Sequence, residues 1–238
     1  AHSKGVIHRD LKPSNILVSP HDGVPVVKII DFGIAKALNR ELTERTLFTA
    51  FGQMIGTLQY MSPEQAEMSG LDVDTRSDLY SLGALLYEVL TGSPPFEAET
   101  LREAGYAEIQ RIIREVEPPK PSTRVETLVG SGGDSDLSEK RQVEPRALSK
   151  LIKGDLDWIV MKALDKERSR RYDTANACAD DIGNYLNDEA VAACPPSAGY
   201  RVRKTIKRNK GPIAATGIVL AALIVGIVGT GWQAIRAT

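Results

Sequence analysis

Residues 8–17 read His-Arg-Asp-Leu-Lys-Pro-Ser-Asn-Ile-Leu, and residues 26–33 read Val-Val-Lys-Ile-Ile-Asp-Phe-Gly. In the first stretch a carboxylate (Asp10), an ammonium two places on (Lys12) and a carboxamide five places on (Asn15) share one short loop. A second carboxylate, Asp31, follows sixteen residues after Asn15, at the end of an apolar, β-branched run. Phosphoryl transfer calls for this set: a carboxylate to orient and deprotonate a hydroxyl, a cation on the transferring group, and oxygen ligands for Mg²⁺. Singly, each residue has a bland reading, because an Asp-Leu-Lys-Pro run is usually a solvated turn. The constellation carries the argument.

The two stretches resemble the H-R-D-L-x-x-x-N and D-F-G motifs of protein kinases. The resemblance implies that Asp10 orients the attacking hydroxyl and accepts its proton, and that Lys12 neutralises charge on the phosphoryl group of ATP. It also implies that Asn15 and Asp31 hold Mg²⁺ against the phosphates. Phe32 is expected to pack beneath the site beside His8, which is read as core rather than as an acid or base. The H-R-D-L-K-P form around Lys12 resembles serine/threonine kinases rather than tyrosine kinases.

Outward from this centre, Val6-Ile7 reads as a short strand. Residues 16–18 and 26–30 read as two more, with the turn residues Ser19 to Gly23 between them. Residues 34–64 resemble an activation segment, ending in Gly-Thr-Leu-Gln-Tyr-Met-Ser-Pro-Glu over 56–64. In that resemblance Thr57 sits near Asp10 and Lys12 and favours Ser/Thr acceptors, and Ser62 stands where the family usually has Ala. Thr43, Thr46 and Thr49 lie in a polar stretch suited to switching. A phosphate there would pair with Arg9; the competing reading is a mobile loop with incidental threonines.

Leu79, Leu82, Leu85, Leu86, Val89 and Leu90 recur at helical spacing on both sides of 74–96, so this helix is expected to be buried through much of its length. Asp78, near its start, either ties down the catalytic-loop backbone, as the resemblance implies, or serves as an N-cap. Residues 97–117 continue as helix. Residues 126–145 turn Gly-, Ser- and charge-rich and read as a disordered insertion. Two helices follow, one presenting Leu156, Ile159, Val160, Ala163 and Leu164, the next burying Ala177, Ile182 and Leu186. Their L-D-x-I-x-x-K-A-L pattern and the Arg-Tyr-x-Thr-Ala after it resemble bacterial, eukaryotic-like serine/threonine kinases. Arg171 matches the family Arg that pairs with the Glu64 position; Arg170 competes for the role, and the Arg-rich run could also be solvated.

Charge divides the chain. Of 30 Lys and Arg, seven lie in residues 201–238 with no acid among them, leaving 23 bases against 31 acids in residues 1–200. An acidic body with a basic tail argues against a nucleic-acid-binding domain and points the tail at something anionic. Cys178 and Cys194, without metal-ligand spacing, suit a reducing compartment. After the basic segment 190–210, residues 211–235 run without a charge, long enough for a transmembrane helix, with Trp232 at the far end. The positive-inside rule then places the kinase region in the cytoplasm and the C-terminus outside, in a single-pass arrangement, with the basic block against anionic lipid. Gly217, Ala221, Ala222 and Gly226 supply small-residue spacings that could pack a second copy of the helix.

The expected fold is therefore mainly α: a kinase-like C-lobe over residues 1–189, with the catalytic loop and a short β-hairpin on a helical bundle, followed by a single membrane helix. The Gly-rich loop, strand Lys and helix Glu of a kinase N-lobe are not found in these 238 residues. The resemblance thus implies a fragment of a longer enzyme that phosphorylates Ser/Thr of protein substrates, and one that alone binds ATP poorly and transfers phosphate negligibly. The alternative is a truncated, non-catalytic membrane scaffold.

Overall fold

The computed structural model describes residues 1–32, 58–67, 73–130, 144–209 and Gly226. Thr43, Thr46, Thr49 and Thr57, and all of 211–235 except Gly226, lie outside the described residues. Among the described residues no helix is long and apolar enough to cross a membrane. A hairpin of β1 (Ile16–His21) and β2 (Val24–Ile29) precedes α1 (Pro63–Ala66), α2 (Thr75–Thr91), α3 (Ala98–Glu103), α4 (Tyr106–Glu115) and α5 (Pro121–Gly130). Then come α6 (Pro145–Ile152), α7 (Asp155–Ala163), α8 (Ala175–Leu186) and α9 (Ala198–Arg208).

The hairpin turn is tighter than the turn residues suggest. Strand pairing runs from Ile16 opposite Ile29 to His21 opposite Val24, so Ser19, Pro20 and His21 belong to the strand and only Asp22-Gly23 turns. Both turn residues have positive φ, 50° and 79°. This is the geometry that an Asp-Gly pair favours in a two-residue hairpin, because its twist matches that of the strands. Val6-Ile7 is not a strand; among the described residues the sheet has two strands, and Val6 belongs to neither. Leu17, Val18, Val24, Val27 and Ile29 are 47–63 % exposed, an apolar surface of unusual density for so short a hairpin.

Helix α2 is the post of the fold. Asp74 is its N-cap, accepting from the Arg76 N–H at 2.8 Å, and Gly92 closes it in the left-handed region at φ 82°. Leu79 faces a cluster with Val125, Ile152, Leu156 and Ile159, while Tyr80, Ala84, Leu85 and Tyr87 face a second one with Leu11, Tyr60, Val160 and Leu164. Burial on two sides is why its apolar residues show no single stripe. Val89 escapes both clusters and is 63 % exposed.

At Gly83, α2 passes so close to α7 that a Cβ would lie 2.7 Å from the Ala163 Cβ. Overpacking of this kind costs about 1–3 kcal/mol, against roughly 1 kcal/mol that alanine returns through helix propensity. Gly83→Ala is therefore expected to lower the melting temperature. Adding Ala163→Gly should recover it in part, and a melt of the two variants checks both statements.

Elsewhere the boundaries shift. The stretch 97–117 is two helices, α3 and α4, with Gly105 as the N-cap of the second. Their apolar faces close a third cluster in which Leu58, Ala66 and Phe96 meet Leu101, Ile109, Ile112 and Ile113. Residues 126–130 are helical, five residues into the stretch read as an insertion, and Pro145 opens α6; 131–143 lie outside the described residues. Helix α5 persists that far because it packs on α6 and α7 and because its first turn is tied down. The buried Asp157 carboxylate accepts from the Ser122 N–H at 2.9 Å and its hydroxyl at 2.7 Å. In α8 the buried positions are Cys178 and Asp181, whereas Leu186, at the end of the helix, is 74 % exposed.

The basic segment is not a free linker. Within it, α9 lies against the start of α7. Tyr200 donates its hydroxyl to Asp155 at 2.8 Å and meets Trp158 edge-on at 5.3 Å, and Lys204 reaches the other Asp155 oxygen at 2.6 Å. Lys207 pairs with Asp188 and Arg208 with Glu189. Val202 and Ile206 stay exposed.

Candidate active site

The loop that carries Asp10 hangs from α2. Asp78, buried in the first turn of that helix, accepts the backbone N–H of His8 at 2.8 Å on one oxygen and that of Arg9 at 2.8 Å on the other. It does not act as the N-cap; Asp74 has that place. The His2 ring adds a third contact to Asp78 at 2.8 Å. A buried carboxylate satisfied by backbone donors holds a loop stiffly, because any movement would leave charge unpaired. The loop needs such an anchor: Arg9 sits at φ 64°, a conformation that L-residues other than glycine rarely adopt.

The ring of His8 spans the site rather than reacting in it. Its Nδ1 accepts from the Asp10 N–H at 3.3 Å, which leaves the proton on Nε2 to be donated to the Ile30 carbonyl at 3.0 Å. The Asp10 loop is thereby joined to the end of β2, and Phe32 stacks at a tilt on His8 with ring centroids 4.7 Å apart. The Ile30 N–H also donates to the Asn15 carbonyl at 2.9 Å.

On this base three polar side chains meet. Lys12 Nζ lies 3.0 Å from Asp10 Oδ2, and Asn15 Nδ2 donates to the Asp10 carbonyl at 2.8 Å and to Asp10 Oδ2 at 3.2 Å. With its amide nitrogen committed to Asp10, Asn15 keeps its oxygen as an acceptor, which takes a hydrogen bond from the Ser14 hydroxyl at 3.4 Å. Asp31 is exposed just past β2, at φ 56°. An amide oxygen and an exposed carboxylate are hard oxygen donors suited to Mg²⁺. Among the described residues no group of three or more His, Cys, Asp and Glu forms a metal cage. Mg²⁺ bound through one or two protein ligands and substrate phosphates requires none.

Behind the loop, Arg171 forms a two-pronged ion pair with Glu64 at 2.7 and 2.8 Å, and Ser77 donates its hydroxyl to the same carboxylate at 2.6 Å. Burial alone would push the Glu64 carboxyl up. The Arg171 hydrogen bonds and charge, with Ser77, outweigh it and hold the group below the usual glutamate range. Arg170 instead pairs with Glu167 at the surface. Sequence reasoning assigned no part to Gln65, although Ser62-Pro63-Glu64-Gln65 is a legible capping-box pattern. Its side chain caps α1 and donates to the Arg9 carbonyl at 2.8 Å. His2, close to the start of the chain, offered no spacing signal at all.

The protein kinase domain family matches residues 1–181. This chain belongs to the protein kinase family. Over 198 residues the kinase chain is 38 % identical to serine/threonine-protein kinase PknB of Mycobacterium tuberculosis, covering 83 % of this chain and 25 % of that protein. It is 36 % identical over 192 residues to a probable serine/threonine-protein kinase PknB of Corynebacterium glutamicum, covering 81 % and 24 %. A probable serine/threonine-protein kinase of Clostridium acetobutylicum is 34 % identical over 193 residues, covering 79 % and 23 %. The kinase chain thus spans about a quarter of the length of these curated relatives.

Proposed function

We propose that this kinase chain is the C-terminal lobe of a membrane-anchored serine/threonine protein kinase that transfers the γ-phosphate of ATP to Ser/Thr hydroxyls of protein substrates. The observation that carries the reading is the Asp10 carboxylate with Lys12 at 3.0 Å and Asn15 at 3.2 Å, on a loop that Asp78 fixes from below. In this reading Asp10 accepts the proton of the substrate hydroxyl, Lys12 stabilises charge on the transferring group, and Asn15 and Asp31 hold Mg²⁺, which screens the phosphates. Asp10, Lys12, Asn15 and Asp31 are all intact in the sequence, which favours catalysis over the scaffold reading. The exposed apolar hairpin supports a lobe boundary here, since such a patch is covered in a stable protein. The uncharged stretch 211–235 behind a basic segment supports a single span with the kinase region on the cytoplasmic side.

The test uses the full-length protein, recovered from membranes that have been stripped with alkaline carbonate. It is expected to stay in the membrane pellet and, once solubilised, to label a generic protein substrate from γ-labelled ATP and Mg²⁺ on Ser and Thr but not Tyr. Label confined to Tyr, or none, overturns the activity. Release into the carbonate supernatant overturns the anchor.

A further inference from the structure

Asp10 follows a peptide group that is held at both ends. That group joins Arg9 to Asp10; its N–H donates to His8 Nδ1 at 3.3 Å, and its carbonyl accepts from Gln65 Nε2 at 2.8 Å. The orientation of this peptide plane sets the direction in which Asp10 projects its carboxylate. It is not a relaxed plane, because Arg9 is at φ 64° and needs outside bonds to stay there.

Gln65 itself is held in one orientation. Its Oε1 accepts from the Ser62 N–H at 3.0 Å and from the Ser62 hydroxyl at 3.1 Å. A donor on the Ser62 side and an acceptor on the Arg9 side can be satisfied together by only one placement of the amide, oxygen toward Ser62 and nitrogen toward Arg9. The short helix that carries Gln65 is in turn fixed by the Glu64 ion pair with Arg171.

We infer that Gln65 is a positioning residue for Asp10, coupling the end of the 34–64 segment to the catalytic carboxylate through the Arg9 carbonyl. Displacement of α1 then turns the Arg9–Asp10 peptide and moves Asp10 away from the line of transfer, without touching ATP. This inference rests on the kinase reading above.

Gln65→Glu in the full-length protein tests it. The carboxylate keeps an acceptor toward Ser62, in the first turn of a helix where negative charge is welcome, but places an oxygen against the Arg9 carbonyl. The expected result is a kcat lower by about ten- to a hundredfold, the range for small misplacement of a reacting group. KM for ATP and the melting temperature should stay near those of the wild type. Ser62→Ala is the comparison: it removes the hydroxyl but not the Ser62 N–H, so it should lower the melting temperature while kcat holds. An unchanged kcat in Gln65→Glu overturns the inference and leaves the kinase reading standing. So does a fall in kcat that Ser62→Ala reproduces in step with lost stability. A wild-type protein with no transferase activity overturns both.

Discussion

Asp10→Asn is expected to cut phosphate transfer by the full-length protein by about 10²- to 10⁴-fold, the usual contribution of a positioned general base. The substitution is close to isosteric. An amide oxygen can still accept from Asn15, which now donates to Asp10 Oδ2 at 3.2 Å, so the loop should keep its shape. What disappears is a group able to take a proton and to balance Lys12, whose ammonium lies 3.0 Å from that carboxylate. Initial rates at saturating ATP and Mg²⁺, with a melt as the folding control, check this. An unimpaired rate would sink the base assignment.

Arg171→Met is expected to be strongly destabilising. The Arg171 side chain is fully buried and Glu64 nearly so. Removing one member of a buried pair leaves the other as an uncompensated charge, a cost of about 3–5 kcal/mol. For a domain of this size that corresponds to a loss on the order of 10 °C in melting temperature.

The pH dependence gives a second handle, and its sign changes with the mutation. In the wild type the Glu64 carboxyl is held below its ordinary value, so the contribution of the pair is present above that range and is lost as pH falls through the lower, folded value. Without Arg171, burial, the largest influence on this carboxyl, is opposed only by the Ser77 and backbone hydrogen bonds. The folded carboxyl is then expected to sit above its ordinary value, so the variant gains stability on acidification until Glu64 is protonated in both states. The gap between wild type and variant should therefore be widest near neutrality and should narrow toward about pH 4. Melts across that interval check it, and Glu64→Gln added to Arg171→Met should recover part of the loss.

The legible part of the fold was its polar contacts: the resemblance singled out Asp10, Lys12 and Asn15, which the loop brings together, Asp78, which ties that loop to α2, and the Glu64–Arg171 pair. Less legible were features set by three-dimensional company. The hairpin lengthened because Asp22-Gly23 closes it in two residues, a choice that Ser19 and Pro20 obscured. Helix α5 ran on to Gly130 because Asp157, distant in sequence, anchors its first turn. Val89 and Leu186 match their helical patterns and yet face outward, since periodicity records which residues share a face and not which faces find a partner. Gln65 acts on a backbone carbonyl, which leaves no mark in the identity of Arg9.

The footing of α9 has a mechanical consequence. Eleven residues of helix make a rod about 16 Å long, and this rod stands on the lobe through Tyr200, Lys204 and the shared Asp155. Tension or torque applied at Asn209 would pass along this rod to the start of α7, the helix that touches the α2 post at Gly83. The joint is also electrically adjustable. Its outer struts, Lys207 to Asp188 and Arg208 to Glu189, are solvent-exposed and soften as ionic strength rises, whereas Lys204 and Asp155 are shielded and keep their grip.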